Sequence, residues 1–127
     1  MSDETPEQLH YTQEHEWVRD DGERLVVGIT AFAASQLGEV VYVDLPASGT
    51  SVERNQPFGE VESPKVVSDL FAPVSGTIVE RNEALEDAPD LASKDPYGEG
   101  WLIVIAPSDR SEIDGLLNAA AYRDHIS

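Results

Sequence analysis

Residues 59–73 read GEVESPKVVSDLFAP, and the fold follows from how this stretch is read. Its chemistry is that of two short strands with Lys65 at the bend between them. Pro64 presets φ for the second position of a tight turn over residues 63–66, which places Lys65 third, at the apex. Before the turn, Phe58, Val61 and Glu62 give a broken apolar/polar alternation. After it, Val67, Asp69 and Phe71 share one strand face, while Val66, Ser68 and Leu70 share the other. On this reading the rest of the chain holds one lysine out in solvent.

Composition narrows what such a lysine could do. The chain has 127 residues, 40% of them hydrophobic, enough for one domain with a modest core. A single domain over 1–127 is expected, with its core at about 9–107 and a C-terminal helix at about 109–125. No apolar run approaches the roughly 20 residues that span a bilayer. The start, MSDETPEQ, has neither the apolar region of a signal peptide nor the arginines of a transit peptide, so the expected location is cytoplasmic. There is no cysteine, which excludes disulfides, thiolate zinc sites and thiol catalysis. Sulfur chemistry would have to arrive on a cofactor.

The net charge is −17, from 25 acids against 8 bases. Such a surface repels nucleic acid and anionic membranes. The acids are spread along the chain, as on a charged surface over a folded core. Molar salt, which shrinks the Debye length to about 3 Å, would relieve their repulsion; a salt-rich cytoplasm, as in a halophile, is the expectation. Six of the bases are Arg and only two, Lys65 and Lys94, are Lys. A chain that nearly avoids lysine yet sets one at a turn apex invites a chemical reason.

Around the lysine turn the chain reads as follows. Residues 9–19 look extended, anchored by Tyr11 and Trp17. Residues 14–29 form a hairpin about the turn Asp20-Asp21-Gly22, and Gly28 within its second strand signals a bulge or a close approach. Thr30 caps a short helix that Gly38 stops. EVVYVDL at 39–45 is a strand ended by Pro46. GTSVERN at 49–55 returns as GTIVERN at 76–82, an offset of 27 residues with its midpoint beside Lys65. Two copies of one turn-and-strand element flanking the lysine hairpin suggest a pseudo-two-fold β domain, each half giving similar strands to a sandwich. Residues 83–100 are a long connection with helical turns near Leu85 and Leu91, and 101–106 a strand. Ser108 or Asp109 then opens the C-terminal helix, whose apolar stripe is Ile113, Leu116, Leu117, Ala120 and Ala121.

Catalysis by the chain itself has little to stand on. There is no G-x-S-x-G elbow, no H-E-x-x-H and no phosphate-cradling glycine loop. His15 and Glu16 fit either general acid–base work beside a cleft, hence a hydrolase, or a polar hairpin face. Lys65 remains, as an attachment point. An acyl group there becomes a flexible arm on a rigid base, which raises the local concentration of its cargo at each partner. A dithiolane cargo would bring the thiol–disulfide chemistry that a cysteine-free chain lacks.

At this point the residues resemble a family. HEWV at 15–18, VGITAFAASQLGEVVYVDLPASG at 27–49, GEVESPKVVSDLFAPVSG at 59–76, NEAL at 82–85 and DPYGEGWL at 95–102 are similar to the H proteins of glycine cleavage systems, the lipoyl carriers. The likeness runs from about residue 9 to 126. Plain lipoyl domains share the lysine hairpin but lack the HEW segment, the LGEVVYVDLP block and the C-terminal helix. Biotin carriers usually flank the lysine with methionines, where this chain has Pro64 and Val66. The resemblance implies a mainly β fold, a barrel-sandwich hybrid of two antiparallel sheets with a short internal helix and a C-terminal helix. It implies lipoate in amide linkage on Lys65, attached by a lipoate ligase or lipoyl transferase. Glycine decarboxylase (P protein) would load an aminomethyl group, aminomethyltransferase (T protein) would unload it, and dihydrolipoamide dehydrogenase (L protein) would reoxidise the dithiol. It puts Glu16 and Asp69 beside the loaded arm, in a surface cleft, with no catalysis by the carrier itself. Two positions depart from the family's pattern: Pro64, where an aliphatic residue is common, and Lys94, where Asn is. A carrier for another complex, or a relay of lipoate to other lipoyl-dependent complexes, fits the same hairpin.

Overall fold

Alternation along the first hairpin sorts its side chains onto two faces of a sheet. Strands β2 (Glu16–Asp20) and β3 (Leu25–Ile29) pair antiparallel, with Val18 opposite Val27 and Trp17 opposite Gly28. Val18, Leu25, Val27 and Ile29 enter the main core, whereas Trp17 and Val26 join a second apolar cluster with Tyr11, Ala119 and Tyr122. Both faces of β3 are therefore covered, and all five of its residues are buried. This is why LVVGI reads as an unbroken apolar run instead of an alternating one. The expected close approach at Gly28 is the Trp17 indole: a Cβ on Gly28 would stand 2.6 Å from it.

The computed structural model describes residues 5–126; the acidic residues at the very start, within 1–4, and Ser127 lie outside that range. The remaining elements are β1 (His10–Tyr11), α1 (Ala31–Leu37), β4 (Tyr42–Asp44), β5 (Ser51–Val52), β6 (Pro57–Glu62), β7 (Val67–Phe71), β8 (Gly76–Arg81), α2 (Ala84–Asp87), α3 (Leu91–Lys94), β9 (Ile103–Pro107), a 3-10 helix (Arg110–Gly115) and α4 (Ala119–Ile126). Six strands form one antiparallel sheet in the order β1-β2-β3-β9-β8-β5, and three form the other, β4-β6-β7. Ile78, Ile103 and Ile105 of the large sheet meet Val61 and Leu70 of the small one in the main core. The fold is the expected mainly β barrel-sandwich hybrid of two antiparallel sheets with helical additions. No helix among the described residues is long and apolar enough to cross a membrane.

The two heptapeptides do more than flank the lysine hairpin. They pair with each other, Ser51 opposite Thr77 and Val52 opposite Gly76. The amide of Ile78 donates to the carbonyl of Thr50 at 2.8 Å, the contact that the 27-residue offset makes equivalent to the Ser51–Thr77 pair. Both copies thus lie in the large sheet, a local two-fold at its edge, and not one in each layer.

Three expected elements differ in extent. Residues 9–19 are not one extended run: the chain turns at His15, whose φ is +76°, between β1 and β2. The strand expected at 39–45 is regular only at Tyr42–Asp44. The single helix expected at 109–125 is a 3-10 helix and a separate α4, joined by an extended step. There Leu117 exchanges two 2.8 Å backbone hydrogen bonds with Tyr11. Two satisfied peptide groups and a sheet contact outweigh continuing a helix through Gly115. The apolar stripe dissolves accordingly. Ile113 is buried and Leu116 and Leu117 half-buried, but Ala120 and Ala121 are exposed, and α4 docks through Ala119 and Tyr122.

Candidate functional site: the lysine turn and its cleft

The β6–β7 hairpin is registered as its sequence suggests, Glu62 opposite Val67, Val61 opposite Ser68 and Glu60 opposite Asp69. Ser63 closes the turn: its amide donates to the Val66 carbonyl at 2.8 Å, and the Val66 amide returns a 3.4 Å bond. The Ser63 hydroxyl also donates to that carbonyl, and Ser63 itself is buried. Pro64, Lys65 and Val66 are left exposed. Among the described residues Lys65 has no ion pair, whereas Lys94 is held 2.8 Å from Asp90. Around the turn the described residues show four exposed large apolar side chains, Val41, Tyr42, Val66 and Val67. Tyr42 reaches the turn because it pairs with Glu62.

Beside the hairpin lies a cleft of about 380 Å³. One wall is α1, with Phe32, Gln36 and Leu37; another is the turn that carries Glu14, His15 and Glu16; the third is β7, with Ser68 and Asp69. Helix α1 stands where it does because Thr30 caps it, accepting from the amide of Ala33 at 3.1 Å, and Gly38 ends it at φ +82°. Glu16 is almost wholly buried, at 1% exposure. Its carboxylate accepts from the Thr12 hydroxyl at 2.6 Å and from the Phe71 amide at 3.1 Å. Burial pushes its pKa up to about 7, against the opposing pull of those two hydrogen bonds, and the charge of Glu14 adds to the rise. Asp69 is exposed on the opposite wall. Glu16 and Asp69, singled out from the sequence, are therefore brought to one cleft next to the lysine turn.

Two contributors were not legible in the sequence. Glu14 adds a third carboxylate to the cleft. Tyr122, from α4, anchors the His15 turn: its hydroxyl lies 2.8 Å from His15 Nδ1 and 2.8 Å from Thr30 Oγ1. The Thr30 amide donates in turn to the His15 carbonyl at 3.0 Å. His15 is held below its ordinary pKa, first by burial and then by neighbouring His125. With Nδ1 beside the Tyr122 hydroxyl, His15 props the wall of the cleft that Glu16 also lines.

A two-sheet β domain that offers one unpaired lysine on a pinned hairpin, beside an acid-lined cleft, defines the class of protein: a swinging-arm carrier. The glycine cleavage H-protein family model matches residues 9–127. A glycine cleavage system H protein of Anaeromyxobacter sp. (strain K) is 55% identical over 123 residues, 97% of this chain and 96% of that one. One from Geobacillus kaustophilus is 54% identical over 97% of each. The crystal structure of a glycine cleavage system H protein from Mycobacterium marinum superposes with a TM-score of 0.87 at 41% identity, covering 95% of this chain and 98% of that one. The chain belongs to the glycine cleavage H-protein family, and so to the lipoyl carriers of glycine cleavage systems.

Proposed function

We propose that Lys65 carries lipoate in amide linkage and that the adjoining cleft shelters the aminomethyl cargo of glycine between enzymes. The observation that carries this reading is the exposed, unpaired Lys65 set directly beside a cleft with Glu14, Glu16 and Asp69 in its walls. The residues fit the group. An amine to be acylated must be reachable, and Lys65 stands exposed on a hairpin turn, whereas Lys94 ends a short helix, 2.8 Å from Asp90. When bound, lipoate supplies the thiol–disulfide chemistry this chain lacks. The protein's own part is to present Nζ on a rigid turn and to offer carboxylates to a cationic amine, most strongly where Glu16 is desolvated. The chain is then a non-catalytic carrier. Its partners are glycine decarboxylase, aminomethyltransferase, dihydrolipoamide dehydrogenase and a lipoate ligase or transferase, in the cytoplasm. The apolar rim of Val41, Tyr42, Val66 and Val67 supports docking by such partners, because each must meet the same apex.

Intact mass tests the attachment. After incubation with lipoate, ATP and a ligase, the wild-type chain gains one lipoyl group and Lys65→Arg gains none. No gain in the wild type, or equal gain in both, rules the assignment out.

A further inference from the structure

A second cavity shares Glu14 and Glu16 with the carboxylate cleft but none of the residues of the lysine turn. Its volume is about 430 Å³, within the roughly 300–1,000 Å³ common for small-molecule sites. One wall is the turn with Thr12, Glu14 and Glu16. A second is the loop after β5, with Arg54 and Asn55, and a third is the step between the 3-10 helix and α4, with Gly115 and Leu116. Phe71 and Ala72, where β7 ends, complete it. Backbone hydrogen bonds tie these walls together. The Asn55 amide donates to the Ala72 carbonyl at 2.8 Å, and Tyr11 and Leu117 exchange two bonds of 2.8 Å. The cavity is therefore formed by the fold and does not wait for a ligand to shape it.

Arg54 is the cation of this cavity. Its backbone amide donates to the Ser75 hydroxyl at 3.0 Å, but among the described residues its guanidinium has no ion pair. The guanidinium lies over Gly115, where a Cβ would stand 3.0 Å from Nη2. On another wall Glu14 is exposed and likewise has no ion pair among the described residues. Glu16 accepts from the Thr12 hydroxyl and the Phe71 amide. The cavity thus offers a guanidinium, carboxylates and the apolar surface of Phe71, Ala72 and Leu116. A simple carboxylate would meet Glu14 and Glu16 as like charges, and a simple amine would meet Arg54 as one. A molecule bearing both charges pairs with both walls, and an apolar body gains from the surface beside them.

We propose that this cavity binds a free, zwitterionic α-amino acid with an apolar side chain. Arg54 takes the carboxylate, Glu14 the ammonium, and Phe71 and Leu116 the side chain. Lys65 is not among the lining residues, so the site is independent of what that lysine carries.

The test is a titration of the full chain, followed by its amide spectra, with three probes: L-leucine, its amide, which lacks the carboxylate, and 4-methylpentanoate, which lacks the amine. Leucine should give saturable shifts at Asn55, Ala72 and Gly115, with Phe32 and Ser68, on the far walls of the carboxylate cleft, unmoved. Each of the other two probes should bind about ten-fold more weakly, as the loss of one charge-assisted contact requires. Arg54→Gln should weaken leucine about ten-fold as well. Arg24→Gln removes an exposed arginine that also has no ion pair among the described residues, and it should leave leucine binding unchanged, which controls for net charge. The absence of saturable shifts would overturn the proposal. So would shifts confined to the carboxylate cleft, 4-methylpentanoate or the amide binding as tightly as leucine, or an Arg54→Gln chain that matches the wild type.

Discussion

Glu16 carries the electrostatic character of the cleft. A carboxyl held at about pKa 7 in the folded chain has an ordinary value when unfolded, so the folded state binds the extra proton across the interval between them. Stability therefore falls as pH rises from about 4.5 to 7 and is lowest, for this group, above 7. The full effect is on the order of 3 kcal/mol. Glu16→Gln removes the titration but keeps an acceptor for Thr12 or the Phe71 amide. Between about pH 4.5 and 7 the urea-unfolding stability of the wild type should fall relative to that of Glu16→Gln, because His15, with its lowered pKa, contributes the opposite slope to both; a Glu16→Gln profile parallel to the wild type would contradict the assignment. The same proton bears on function. Below about pH 7 the protonated carboxyl loses its attraction for a cationic amine, so ammonia loss from the loaded carrier should quicken as pH falls. In Glu16→Gln it should be fast throughout.

At the scale of elements, α4 is what makes the cleft wall rigid. The turn that carries Glu14 and Glu16 places His15 at φ +76°, a left-handed conformation that surrounding contacts must hold. Tyr122 supplies them, bridging His15 and Thr30 and stacking on Tyr11 with ring centroids 4.7 Å apart. Tyr122→Phe keeps the ring and removes the bridge. It should lower stability by about 1–2 kcal/mol and loosen the His15–Glu16 turn, seen as faster amide exchange at His15 and Thr30. Unchanged exchange would show that packing alone holds the turn. This element also marks where sequence reading stops. Thr30, the helix behind it and Gly38 were legible because a cap, a short apolar periodicity and a glycine stop act within one turn of chain. The break in the C-terminal helix was not, because its cause, the paired amides of Leu117 and Tyr11, joins residues far apart in the chain.

For the molecule as a whole, charge is the dominant external variable. Five of the eight bases are in ion pairs among the described residues, all with side chains at least partly exposed, where each pair contributes about 0–1 kcal/mol. Among the described residues those pairs take up Glu7, Asp20, Asp21, Glu83, Glu86 and Asp90, and the small sheet lines three further acids up side by side, Asp44 opposite Glu60 and Glu60 opposite Asp69. Like charges across strands are destabilising, so the midpoint of thermal unfolding should rise between low and molar salt. A midpoint that does not move would remove the inference of a salt-rich cytoplasm. By itself the sequence determined the β class, the hairpin with a lysine at its turn, and the capped helix. Each of these rests on local rules: strand alternation, turn residues and composition. Only the tertiary structure decided that the two heptapeptides pair with each other, that α4 is a short docked helix, and that Glu16 is buried and Asp69 exposed across one cleft. Those outcomes depend on which distant surfaces exclude water from one another, and burial, unlike alternation, is a property that no residue carries alone.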